Sequence, residues 1–164
     1  MGLDVGDEAP DFELRDQNGR PVRLSSFRGS KAVVLMFYPF AFSRVCTGEL
    51  SEVVERLSTF VSDDVQILAV SCDPMFTLRA FAEQEGLTFP LLSDFWPHGE
   101  VAAAYGVLNP DRGCAERSTF IIDRDGVVRW LVHNRMADSR DLTEQAAVLA
   151  RLATLRGRKI LRRE

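Results

Sequence analysis

With 164 residues and a 46% hydrophobic share, the chain is long enough to bury one core and too short for two ordinary domains. The net charge of −4 is unevenly spread: from Arg151 onward six Lys/Arg face the single Glu164, so the preceding body holds 14 bases against 23 acids, a net −9, which disfavours nucleic acid as the main partner. No apolar run reaches membrane-spanning length, and the acidic start from Met1 to Glu8 lacks the regions of a signal peptide, so a cytoplasmic protein without membrane association is expected.

In chain order, Asp11-Phe12-Glu13-Leu14 and Pro21-Val22-Arg23-Leu24 alternate around Asn18-Gly19, a hairpin signal. Ala32 to Phe37 is an apolar run that predicts a buried strand. The spacing of Leu50, Val53, Val54, Leu57, Phe60 and Val61 predicts a helix beginning near Ser43. Asp63-Asp64 marks a break, and Val65 to Val70 predicts a second strand, parallel to the first because a helix of adequate length joins them. Cys72-Asp73-Pro74 stops that strand. Phe76 to Glu85 carries Leu78, Phe81 and Ala82 on one helical face, and Gly86 ends it.

Further on, Phe89-Pro90-Leu91-Leu92 is short and buried in character, and Ser93 to Gly99 forms a loop before a short helix from Glu100 to Tyr105. Arg117 to Ile122 and Val127 to Val132 predict two strands joined by Asp123-Arg124-Asp125-Gly126, the clearest hairpin in the chain. Leu142, Ala146, Leu149, Leu152 and Leu155 predict a closing amphipathic helix. This order specifies an α/β thioredoxin fold: a mixed central sheet flanked by helices, with an added N-terminal β-hairpin and an insertion around residues 73–106. One domain is expected over residues 1–155. Residues 156–164 form a basic C-terminal tail, either an interaction segment or a frayed end whose arginines complement a helix C-terminus.

Three cysteines, Cys46, Cys72 and Cys114, fit neither a disulfide scaffold nor a zinc site. His98 and His133 have no metal-ligand spacing, so neither metal nor cofactor is expected. Cys46 stands out by position, in the first turn of a helix just after a strand. The unpaired N–H groups and positive dipole end of a helix favour an anion there, and a thiolate is the nucleophilic form of cysteine. The alternative is a free cysteine acting as a small buried hydrophobe.

Pro39-x-x-x-Ser43-x-x-Cys46 resembles the Pro-x-x-x-Thr/Ser-x-x-Cys active-site motif of peroxiredoxins, with Glu49 three residues on and Arg117 in a distant segment. Gly6-x-x-Ala9-Pro10-Asp11-Phe12, Phe89-Pro90-Leu91-Leu92-Ser93-Asp94 and Ala104-Tyr105-Gly106-Val107 fit the same family. The wording around Phe95-Trp96-Pro97-His98-Gly99 is most similar to the AhpE-like one-cysteine peroxiredoxins. The resemblance implies a thiol-dependent peroxidase acting on hydrogen peroxide, alkyl hydroperoxides or peroxynitrite. Cys46 would be the peroxidatic cysteine that becomes a sulfenic acid. Arg117 would stabilise the thiolate and the developing charge. Ser43 would hydrogen-bond the peroxide, Pro39 would shield the sulfur from water, and Glu49 would orient Arg117. Backbone N–H groups at Val45 and Cys46 would complete the site.

Each role has a plainer alternative. Ser43 as a helix N-cap needs the same oxygen; Pro39 as a strand terminator, and Glu49 and Arg117 as surface charges, need no chemistry. Position 51, where some relatives carry a resolving cysteine, is Ser51, and no cysteine follows Cys114. A one-cysteine cycle results, with the sulfenate reduced by an external thiol: a low-molecular-weight thiol, a mycoredoxin or glutaredoxin-like protein, or thioredoxin. Resolution by Cys72 or Cys114 stays open if their Cα atoms come within disulfide range of Cys46. Phe40, Phe42, Phe95 and Trp96 are loop aromatics of the kind that mark an interface, and the resemblance implies a homodimer through this edge. Competing readings are a thiol–disulfide oxidoreductase, which lacks its second cysteine at Ser43, and a peroxide sensor or holdase switched by Cys46.

Overall fold

The computed structural model describes residues 2–56, 60–134 and 141–163, with side chains described up to Leu152. Leu57 and the side chain of Leu155, both assigned to helical faces above, lie outside the described residues.

The organising strand is β3 (Ala32–Phe37), all six residues of which are buried. Val34 and Met36 point into one apolar cluster, and Val33, Leu35 and Phe37 into another on the opposite face. A strand covered on both faces reads as an unbroken apolar run rather than an alternating one, which is why the sequence from Ala32 to Phe37 shows no period. On one side β4 (Val65–Ser71) runs parallel to it; on the other β8 (Ser118–Ile122) runs antiparallel. β9 (Val128–His133) pairs with β8, and β5 (Leu91–Ser93) with β4.

The N-terminal hairpin, β1 (Glu13–Arg15) and β2 (Pro21–Arg23), extends the same sheet through an Arg15 to Ser93 pairing, giving the order β2-β1-β5-β4-β3-β8-β9. Its connection is longer than a two-residue turn because the Asp16 carboxylate accepts the N–H groups of Asn18 and Arg20 and so builds a local loop of its own. Gln17 then fastens that loop to β5, donating to the Phe89 carbonyl at 3.0 Å and accepting the Leu91 N–H at 2.8 Å.

Helices α1 (Arg44–Glu55), α2 (Met75–Glu85) and α4 (Leu142–Arg163) surround the sheet, and the short α3 (Glu100–Ala104) lies in the insertion. The buried residues of α1 are Cys46, Glu49, Leu50 and Val53, one face at helical spacing. Burial of a Leu or Val side chain such as Leu50 or Val53 contributes roughly 1.5–3 kcal/mol. That face sets the rotation of the helix and thereby turns Cys46 and Glu49 inward. Just after the insertion comes a two-stranded hairpin, β6 (Leu108–Asn109) with β7 (Cys114–Ala115). α4 continues as helix through residues 156–163, the stretch read from sequence as a basic tail. No described helix is long and apolar enough to cross a membrane.

These pairings bring three segment ends to one edge. Phe37 lies in register with Val70 of β4 and with Ser118 of β8, so the loop into α1, the residues after β4 and the residue before β8 converge. Arg117, expected within a strand, immediately precedes one: the ladder starts at Ser118, which leaves Arg117 at the mouth of the sheet.

Candidate active site

Arg117 is 1% exposed, Glu49 4% and Cys46 0%, so the reading of Glu49 and Arg117 as surface charges is wrong. Arg117 Nη2 donates to Cys46 Sγ at 3.2 Å, and Nη1 donates to Glu49 Oε1 in a buried ion pair. Cys46 and Glu49 lie three residues apart on one helical face, and the planar guanidinium spans both. Burying an arginine costs several kcal/mol unless a counter-ion and hydrogen bonds offset it; Glu49 supplies the charge. Behind Arg117, its carbonyl accepts the Asn134 N–H at 2.7 Å, and Ser118 Oγ meets His133 Nδ1 at 2.8 Å. β9 thus braces the residue from the far side.

The helix start faces the same place. Thr47 N–H donates to the Ser43 carbonyl at 2.9 Å, so the N–H groups of Arg44, Val45 and Cys46 precede the first bond of the helix and have no carbonyl one turn earlier. Ser43 holds the N-cap position with extended backbone (φ −70°, ψ 149°), yet its side chain makes no capping bond. The N-cap role therefore applies to its backbone and leaves the hydroxyl available to other partners. Pro39 is buried on the loop between β3 and α1.

Sequence reading treated Asp73 only as a strand terminator, and the structure gives it more to do. Its carboxylate accepts the Ala41 N–H at 2.8 Å and the Ser71 hydroxyl at 2.7 Å, while its carbonyl accepts from Ser93 Oγ at 2.7 Å. Asp73 stands two residues beyond β4, at the edge where sites of open α/β sheets collect, but nothing local in the sequence marks its contact with Ala41. The same loop contains Phe42 at φ 66°, a left-handed conformation that L side chains seldom adopt. Its ring packs on Phe81 at 5.0 Å between centroids, anchoring a strained turn to the core beside Cys46.

The remaining thiols share this edge. Cys72 follows β4 and Cys114 opens β7; both are buried and free, as is Cys46. Burial, reinforced by Asp94, pushes the Cys72 thiol up to about 12. Burial likewise raises Cys114. Trp96 is 82% exposed and Phe40, Phe42 and Phe95 are 42–45% exposed, so none of the four is a core residue.

Residues 5–131 match the AhpC/TSA family. Over 139 residues the chain is 49% identical to alkyl hydroperoxide reductase E of Mycobacterium tuberculosis, covering 85% of this chain and 91% of that protein. The crystal structure of peroxidoxin BcpB from Mycobacterium tuberculosis superposes with a TM-score of 0.79 at 34% identity, over 93% of this chain and 97% of that one. The reduced 2-Cys peroxiredoxin of Plasmodium vivax does so with a TM-score of 0.81 at 30% identity, over 89% and 80%.

Proposed function

The chain belongs to the AhpC/TSA family, a peroxiredoxin with thiol-dependent peroxidase activity, and from that premise we propose that Cys46 is its peroxidatic cysteine. The observation that carries this reading is the single guanidinium of Arg117, buried and fixed by Glu49, donating to the Cys46 sulfur at a helix start.

In the reaction so assigned, Cys46 sulfur attacks one oxygen of the hydroperoxide along the O–O axis. An S–O bond forms as the O–O bond breaks, the second oxygen leaves as alkoxide or hydroxide and takes a proton, and sulfur becomes a sulfenic acid. Arg117 holds the negative sulfur and the charge developing across the oxygens, with no reorganisation because Glu49 has already fixed it. The Ser43 hydroxyl and the N–H groups of Val45 and Cys46 bind the oxygens. Pro39 keeps water from the sulfur. Every group recognises the O–O bond and none a particular substituent, which suits hydrogen peroxide, alkyl hydroperoxides and peroxynitrite alike.

An external thiol supplies the electrons that return Cys46: a low-molecular-weight thiol, a mycoredoxin or glutaredoxin-like protein, or thioredoxin. The exposed Phe40, Phe42, Phe95 and Trp96 support a homodimer through this edge, and three cysteines that are all free support a cytoplasmic location. Peroxide consumption with an added thiol reductant tests the assignment. Cys46→Ser replaces the sulfur by a far weaker oxygen nucleophile and should abolish turnover; retained turnover would overturn the reading.

A further inference from the structure

Away from Cys46, the His98 ring stands between two carbonyl oxygens. Nδ1 lies 3.1 Å from the Phe95 carbonyl, and Nε2 lies 2.6 Å from the Gly113 carbonyl. Both oxygens can only accept a hydrogen bond. A neutral imidazole has one N–H and one lone pair, so it donates to one of them and turns its lone pair on the other; an imidazolium donates to both. The 2.6 Å separation is short for N–H···O and matches a charged donor, whose bonds contract. We propose that His98 is a pH-operated clamp: charged, it fastens the exposed loop from Phe95 to His98 onto the turn between β6 and β7, and neutral, it gives up one of its two holds.

The two segments it joins are each anchored at the base. The Asp94 carbonyl accepts the Gly99 N–H at 2.9 Å, and the Asp94 carboxylate accepts the N–H groups of Val101 and Ala102 at 3.1 and 2.8 Å. Those bonds close the loop, while Phe95, Trp96, Pro97 and His98 are exposed at its tip. On the other side the Asn109 side chain accepts the N–H groups of Asp111 and Arg112, and the Asn109 carbonyl accepts that of Gly113 at 2.9 Å. A Cβ at Gly113 would stand 3.5 Å from Nε2, so the imidazole is seated directly on this turn. The Phe95 ring meets the imidazole edge-on, with centroids 5.9 Å apart and planes at 82°, which couples the aromatic loop to the clamp.

The charged groups around the ring come from the loop base, α3 and the turn. Asp94 is buried at the base, Glu100 opens α3, and Asp111 and Arg112 belong to the turn that ends in Gly113. Burial raises Asp94 above its ordinary value of 3.8, and the His98 charge acts against that rise, so an ionised Asp94 and a charged His98 stabilise one another. Glu100 and Asp111 favour the charged ring, and Arg112 opposes it.

Loss of the ring proton removes a donor, so the clamped form binds one proton more than the released form and is favoured as pH falls. Histidine changes charge between about pH 5 and about pH 8, and the clamp opens as pH rises through the titration of the ring. Phe95 and Trp96, the exposed aromatics of this loop, are therefore held on the acid side of that titration and released on the alkaline side.

The test is nuclear magnetic resonance of the full chain with ring-labelled histidine, titrated between about pH 5 and about pH 8. The Asp94 carboxylate carbon is followed alongside, which separates its protonation from that of the ring, and His98→Phe distinguishes the His98 signals from those of His133. Below the ring titration both His98 ring N–H protons should exchange slowly with water, each coupled to a carbonyl carbon. Above it, exchange of the hydrogen-bonded Gly99 and Gly113 amides, corrected for the intrinsic effect of pH, should speed up about threefold to tenfold through local opening. That range is the low end of what a bond from a charged group is worth, because the ring is exposed. Amides of β3 should show no such step, and neither should Gly99 and Gly113 in His98→Phe. Equal protection of Gly99 and Gly113 on both sides of the ring titration overturns the proposal, as does a step that follows Asp94 instead of His98 or one that persists in His98→Phe. The unsubstituted chain yields the first two of these results by itself, so a poorly folded variant leaves the test decisive.

Discussion

The Asp73 carboxylate accepts the Ala41 N–H at 2.8 Å, across 32 residues of sequence. This bond ties the end of β4 to the loop that delivers Cys46 to Arg117, and Ser71 holds the same carboxylate oxygen from the strand side. Position of the turn that carries Cys46 thus depends on a residue outside the segment from Pro39 to Cys46.

Asp73→Ala should therefore leave the Ala41 N–H without an acceptor, at a cost of about 1–3 kcal/mol for a partly buried donor. Displacement of the turn should lower kcat/KM for hydrogen peroxide roughly tenfold or more, as misplacement of a reacting group does. Asp73→Asn keeps a carbonyl oxygen in place and should recover most of both losses. Thermal unfolding with stopped-flow peroxide reduction on the two variants checks this; equal behaviour of Ala and Asn would sink it.

Glu49 and Arg117 are both buried and form one ion pair, so removing either leaves the other charge buried. Glu49→Ala should cost about 3–5 kcal/mol of stability on that ground. Arg117→Ala should cut the rate by about 10²–10³, the usual cost of losing one preorganised donor to a developing anion. Arg117→Lys keeps the charge but cannot span sulfur and carboxylate with one planar group, so the rate should stay well below that of the unsubstituted chain. A double-mutant cycle in denaturant and in peroxide kinetics reads both effects, and a lysine variant at full rate would contradict the bridging role.

Much of this site was legible from the chain. A buried strand, a helix start and the two flanking apolar strands follow from Ala32 to Phe37, Leu50 to Val61, and the runs at Val65 and Ser118, because burial on both faces and helical spacing leave direct marks in sequence. Arg117 was found through motif resemblance; the apolar run alone placed it as the first residue of a strand, one position further in than it lies. Asp73 escaped notice because its role depends on a contact 32 residues away, for which no local pattern exists. The burial of Glu49 followed the same logic in reverse. A charged residue on a helix reads as solvent-facing until its partner is placed, and Arg117 is 68 residues distant. The left-handed backbone at Phe42 had no signal at all, since glycine or asparagine is the usual mark of that conformation.

Phe42 is the one described non-glycine residue with positive φ. Phe42→Gly and Phe42→Ala both lose the packing on Phe81, but only glycine accommodates φ 66° without a Cβ penalty of about 1–2 kcal/mol. The glycine variant should be the more stable of the two by about 1 kcal/mol, reversing the usual advantage of alanine, which comes from restricting the unfolded chain. Denaturant midpoints at equal m-value decide it; a more stable alanine variant would show that the turn relaxes to negative φ once the ring is gone.

The raised thiols make an alkaline prediction whose sign is fixed. Burial pushes Cys72 from an ordinary 9.0 up to about 12 and moves Cys114 in the same direction. Above pH 9 the unfolded chain gives up these protons while the folded chain retains them, so the folded state binds more protons and stability falls as pH rises towards 12. Each thiol contributes a slope of at most about 1.4 kcal/mol per pH unit in that window and none below it. Tyr105 is also raised by burial and adds to the same loss, so the unsubstituted chain alone does not isolate the thiols. Cys72→Val removes the ionisable group with little change in volume. Its urea midpoint should match that of the unsubstituted chain near pH 8, within the modest cost of a core exchange, and should fall less steeply between about pH 9 and about pH 10.5. Parallel midpoint curves for the two proteins would mean that Cys72 ionises as readily in the folded state as in the unfolded one, and that the thiol is not shielded at the sheet edge.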